Sequence, residues 1–169
     1  MQLNQGTAID RLVSLGMEDM PVMEYRPQRC IIDKDWFKKY SVLRRQFLES
    51  LSDSVEEIAF MNLSQDELMN IITGRTAPEN TSIRFRIPLV WGGKLEIDNM
   101  FMCLTFPHSH NMDRFIIEQS DASVVFLPNP AKKIYVSTHL GGGGAGGNAA
   151  SDRLSWAAMN YVQSNRGNE

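Results

Sequence analysis

The chain has 169 residues, 43% of them hydrophobic and 22% charged. That composition fits one globular domain with a real core and leaves little length for a second. A net charge of −3 excludes a general positive field drawing the chain to DNA, RNA or an anionic membrane, so nucleic-acid contact would need a local basic patch.

Cys30 and Cys103 each sit among apolar neighbours. They read as buried reduced thiols, and neither a disulfide framework nor a thiolate zinc site is expected. No apolar run approaches the roughly 20 residues of a membrane span. The stretch MQLNQGTAID lacks the basic and apolar regions of a signal peptide. The expected setting is cytoplasmic, or export without a Sec-type signal, with no membrane partner.

Residues 1–24 read as an arm that packs loosely or stays unordered. Within it, 7–15 has helical spacing, with Ile9, Leu12, Val13 and Leu15 as the apolar side, before Gly16 and Pro21 break it. Residues 25–169 are expected to form a single α+β domain.

A helix follows Asp33 or Asp35, either of which can cap it. Trp36, Tyr40, Leu43, Phe47 and Leu51 recur at spacings of three and four along one face. Lys38, Lys39, Arg44 and Arg45 point elsewhere, forming either a solvated face or a phosphate-contacting patch. Asp53-Ser54 can cap a second short helix carrying Val55, Ile58, Ala59 and Met61. A third opens on Ser64-Gln65-Asp66-Glu67, the form of a capping box. Leu68, Ile71 and Ile72 give it an apolar side, Gly74 suits a left-handed cap, and Pro78 forbids continuation.

The period then changes to two. Ile83, Phe85, Ile87 and Leu89 alternate with Arg84, Arg86 and Pro88, which predicts a half-buried strand with its arginines on the wet face. After a Gly92-Gly93 loop, residues 100–105 read as a second strand. Pro107 suits the approach to a helix with Met112, Phe115 and Ile116 on its apolar side. Segments 124–127 and 134–136 read as two short strands, and Asn129-Pro130 between them suggests a hairpin. Gly-rich residues 141–147 lack the features of a phosphate-binding loop and read as a linker. Ser151 caps a last helix with Leu154, Ala158, Tyr161 and Val162.

Strand, loop, strand and helix over 82–119 could bring one side chain from each element to a small pocket. A divalent cation there would polarise a phosphodiester while an imidazole deprotonated water. Imidazole, carboxamide and carboxylate ligands suit Mg, Mn, Ni or Zn. His108 and His110 lie at the helix start and His139 lies beside the glycine run. Spaced i, i+2, His108 and His110 share a side only in extended chain.

The run LSQDELMNIITGRTAPENTSIRFRIPLVWGGKLEIDNMFMCL, followed by PHSHNMDRFIIEQ, resembles the toxin-like branch of the HNH (ββα-metal) nuclease superfamily. The likeness covers roughly residues 63–136. It rests on Ile87-Pro88-Leu89, the Gly92-Gly93 loop, Asn99 before a hydrophobic strand, and a histidine-bearing helix ending in Phe115-Ile116 and Gln119. It implies N-terminal helices followed by a ββα-metal-like unit. It also implies a site in which Asn99, His108 and His110 serve catalysis and His108, His110 and Asp113 hold a divalent metal.

Members generally carry a His-His or Asp-His pair where this chain has Arg84 and Phe85, and a phenylalanine cannot accept a proton. The expectation is therefore a catalytically impaired module. Arg84, Arg86, Lys38, Lys39, Arg44 and Arg45 would contact nucleic acid or an acidic protein surface. The alternative is an active metal-dependent endonuclease, a toxin or effector, cleaving DNA or RNA.

Overall fold

The structure is a computed structural model and describes residues 2–28, 30–53 and 63–136. The second short helix expected after Asp53, His139, the glycine run and the helix from Ser151 lie outside the described residues. What is described is α+β, built on two antiparallel strand pairs.

The N-terminal arm departs from the loose segment expected. Helix α1 (Gln5–Ser14) starts in a capping box in which Asn4 and Thr7 exchange side-chain and backbone bonds. Its inward side is Ala8 and Leu12, followed by Leu15, while Ile9 and Val13 stay exposed. Strand β1 (Val22–Tyr25) then pairs antiparallel with β4 (Val125–Pro128). Helix α2 (Trp36–Ser50) and a 3-10 turn (Leu51–Asp53) bury Phe47, Leu48 and Leu51. Helix α3 (Gln65–Ile72) has the predicted capping box, with Glu67 N–H donating to Ser64 Oγ at 3.2 Å and Ser64 N–H donating to Glu67 at 3.2 Å. Gly74 closes it at φ +70, with Gly74 N–H on the Ile71 carbonyl and Arg75 N–H on that of Asn70.

Strand β2 (Thr81–Phe85) pairs antiparallel with β3 (Met100–Leu104), placing Ile83 opposite Met102 and Arg84 opposite Phe101. This ladder divides the interior. Ile83, Phe85, Met100 and Met102 pack with α2 and α3, whereas Phe101 and Cys103 pack with α1, β4 and helix α4 (His110–Ile117). Both faces of β2 are covered and all five residues are buried. The predicted wet face is therefore corrected within β2, where Arg84 faces the start of α4 and not water. The strand is also shorter than expected, because Leu89–Trp91 turns into a 3-10 segment ended by Gly92 at φ +96.

The hairpin expected between 124–127 and 134–136 does not form. β4 takes β1 as its partner, and Ile134 makes a parallel bridge to Met102 instead. Asn129-Pro130 turns the chain, but the pairing is decided by the N-terminal strand. Cys103 is buried, whereas Cys30 is only partly so, against the expectation for that thiol.

Candidate functional site at the strand–helix junction

The period-2 phase of β2 aims Arg84 at the start of α4. Its side chain is 1% exposed. Nη1 donates to Asp113 Oδ1 at 2.6 Å, to Ser109 Oγ at 2.9 Å and to the Ser109 carbonyl at 3.1 Å. Asp113, one turn into α4, is 14% exposed on its side chain. Burial pushes its carboxyl up from the ordinary value, opposed by the Arg84 guanidinium and the nearby His110. A guanidinium thus stands between strand and helix, where the sequence suggested a metal held by side chains from both.

The two histidines do not converge. His108 is buried, its ring edge-on to Tyr135 with centroids 5.4 Å apart. Burial pushes its imidazole down from the ordinary value, partly offset by a hydrogen bond with the Gly16 backbone, and Nδ1 has no hydrogen-bond partner. His110 is exposed and lies against Phe106, 5.7 Å between ring centroids. Among the described residues no three His, Cys, Asp or Glu side chains group to hold a metal ion. Of the trio expected to hold a divalent cation, His108 is buried, His110 is exposed and Asp113 bonds Arg84. Phe85 occupies the expected base position, buried in the core under α2 with Tyr40 5.7 Å away.

Asn99 lies in the loop where it was expected, and its amide faces backbone. Oδ1 accepts from Ile87 N–H at 2.9 Å, while Nδ2 donates to the carbonyls of Ile87 at 2.9 Å and Lys94 at 3.0 Å. These bonds close the Gly92-Gly93 loop, and Gly93 is needed there because a Cβ would sit 1.9 Å from the Ile87 oxygen. A cleft of about 330 Å³ opens beside it, lined by Arg86, Gly93, Lys94, Asp98, Asn99 and Asn129 among others.

Arg86 is also turned inward. Its guanidinium donates to Asn129 Oδ1 at 3.1 Å, to the Pro130 carbonyl, and to the Lys132 carbonyl at 3.1 Å, and it lies 5.5 Å from the Phe101 ring centroid. Burial draws it below the usual arginine value, opposed by Asp98. Arg84 is therefore not presented outward, which corrects its expected role as a surface contact, while Arg86, just past β2, is half-buried with its guanidinium held by the 129–132 segment.

The cations of α2 are differently placed. Lys38, Lys39 and Arg45 are exposed and Arg44 is partly so. Lys39 pairs with Asp33 at 2.6 Å and Arg45 lies 3.7 Å from Glu49. Phe37 and Val42 stand among them at 50% and 59% exposure.

Ser109 was missed by the sequence reading. Only its place one turn before Asp113 hinted that both could meet a strand residue. No family model, curated protein or solved structure matches this chain.

Proposed function

We propose that this chain is an HNH-like unit that no longer cleaves phosphodiesters and acts as a binding module, with the exposed face of α2 meeting an acidic protein surface. One observation carries the reading: the cation between β2 and α4 is the Arg84 side chain, bonded to Asp113 and Ser109. A phosphodiester nuclease of this kind needs an accessible Lewis acid and a base to deprotonate water. The buried guanidinium offers no open position, and Phe85 takes the place of the base.

The choice of an acidic protein over nucleic acid comes from α2. Phe37 and Val42 are exposed among its cations, two of which already have carboxylate partners. The aliphatic Val42 gains little from a phosphate backbone, whereas a protein surface can cover it together with the Phe37 ring.

The test incubates the protein with plasmid and RNA in Mg, Mn, Ni or Zn, beside a His108→Ala/His110→Ala variant. No cleavage is expected. Cleavage abolished in the variant would overturn the reading in favour of a metal-dependent endonuclease. Nucleic-acid affinity measured against salt should be weak. A tight, steeply salt-dependent affinity lost in Lys38→Glu/Arg44→Glu would make nucleic acid the partner.

A further inference from the structure

We infer that Arg84 fills a built cation pocket that takes the Nη1 end of a guanidinium group and not a metal ion. The inference rests on the reading above only in concerning the same junction. Three oxygens converge on one nitrogen: the Asp113 carboxylate, the Ser109 hydroxyl and the Ser109 carbonyl, at 2.6, 2.9 and 3.1 Å from Nη1. All belong to the first turn of α4 or the residue just before it, while the cation arrives from β2. The guanidinium is a tether between the strand and the start of the helix.

Charge and geometry select its chemistry. One carboxylate faces the pocket, so a monovalent cation neutralises it, whereas a divalent ion would leave an uncompensated charge in a buried place. Hard divalent ions also ask for about six oxygen ligands or several retained waters, and this junction is nearly closed to solvent. A guanidinium carries its charge in a plane with five N–H donors and is weakly hydrated, which suits a nearly dry pocket with oxygens on one side. With the side chain shortened, the pocket should accept free guanidinium ion.

The experiment follows the melting temperature of the full chain and of Arg84→Ala, with guanidinium chloride rising to about 50 mM against matched sodium chloride. Guanidinium weakens folded proteins in general, so the wild type should hold steady or fall. Arg84→Ala should rise by roughly 2–4 °C as the ion binds, and Arg84→Ala/Asp113→Asn should not rise. Mg, Mn, Ca and Zn should leave Arg84→Ala unchanged. Absence of the rise, the same rise in the double variant, or a rise with a divalent ion in place of guanidinium would each overturn the inference.

Should Arg84→Ala fail to fold, the wild type decides the matter by nitrogen-detected NMR of the arginine side chains. The Arg84 Nη protons should be separately resolved and slow to exchange, and should merge in Asp113→Asn. Averaged, fast-exchanging signals in the wild type would overturn it. The cleavage assay uses neither variant, so a failed pocket and a failed reading of function give different results.

Discussion

At the scale of single residues, polar side chains in this protein mostly hold backbone. Asn99 is the clearest case: its amide replaces a pair of strand hydrogen bonds just beyond the end of β2, meeting both the N–H and the carbonyl of Ile87. Asn99→Ala leaves these groups without that partner, and the expected loss is about 1–3 kcal/mol, read from urea unfolding midpoints at unchanged slope. Asn99→Asp keeps the acceptor but loses both donor bonds, so it should not recover stability; full recovery would mean that the amide's donor side contributes nothing. Asn99 was visible in the sequence as a loop residue before a hydrophobic strand. Its backbone contacts were not, because an asparagine in a turn looks the same whichever partner it meets. Arg84 was legible in a similar half: the alternation gave its side of the strand, but nothing local said that α4 covers that side.

At the scale of elements, the N-terminal arm does not show its order locally, because the groups that hold it lie about a hundred residues away. Asn111 Nδ2 donates to the Leu15 carbonyl at 3.1 Å, His108 bonds the Gly16 backbone, and Tyr135 Oη donates to the Glu18 carbonyl at 2.7 Å. Arg11 adds a two-nitrogen contact to Glu118, at 3.0 and 2.6 Å, which lowers the Glu118 carboxyl below its ordinary value. Both titrations give a stability that acid removes. The fold favours neutral His108, so its contribution is present above the unfolded value near 6.5 and is lost as pH falls below that toward the lower folded value. The fold favours ionised Glu118, whose contribution is lost as pH falls from about 4.5. The melting temperature should therefore drop between pH 7.5 and 5.5, and His108→Asn should flatten that slope. An unchanged slope in the variant would assign it to other groups. By contrast α2, α3 and α4 were readable from their apolar period, because each has its buried face in one short stretch; only α3 adds a capping box, since neither Asp35 nor Ser109 makes a side-chain bond at its helix start.

At the scale of the whole molecule, the β2–β3 ladder is a partition with a core on each side. Phe101 and Cys103 point into the one closed by α1, α4 and β4, and Met100 and Met102 into the one closed by α2 and α3. Alternation along the chain marks the ladder but reads one of its faces as wet, since a strand records its two sides without recording what covers them. The expected hairpin failed for a related reason: turn residues mark where a chain reverses, whereas the partner of β4 came from residues 22–25. Because both cores share one ladder, neither has a complete wall without the other, and the described molecule should unfold as one unit. Trp36 packs against the α2–α3 core and Trp91 is buried in the other, so each can report on one side. With Trp156→Phe in both, Trp91→Phe leaves Trp36 as reporter and Trp36→Phe leaves Trp91. Their urea transitions should coincide. Phe101→Ala, which removes a ring from the Trp91 side alone, should lower both midpoints together by about 3–5 kcal/mol of stability. A Trp91 transition that moves while the Trp36 transition stays would instead make the N-terminal arm, α4 and β4 a separately melting layer, and the ladder a boundary between two folding units.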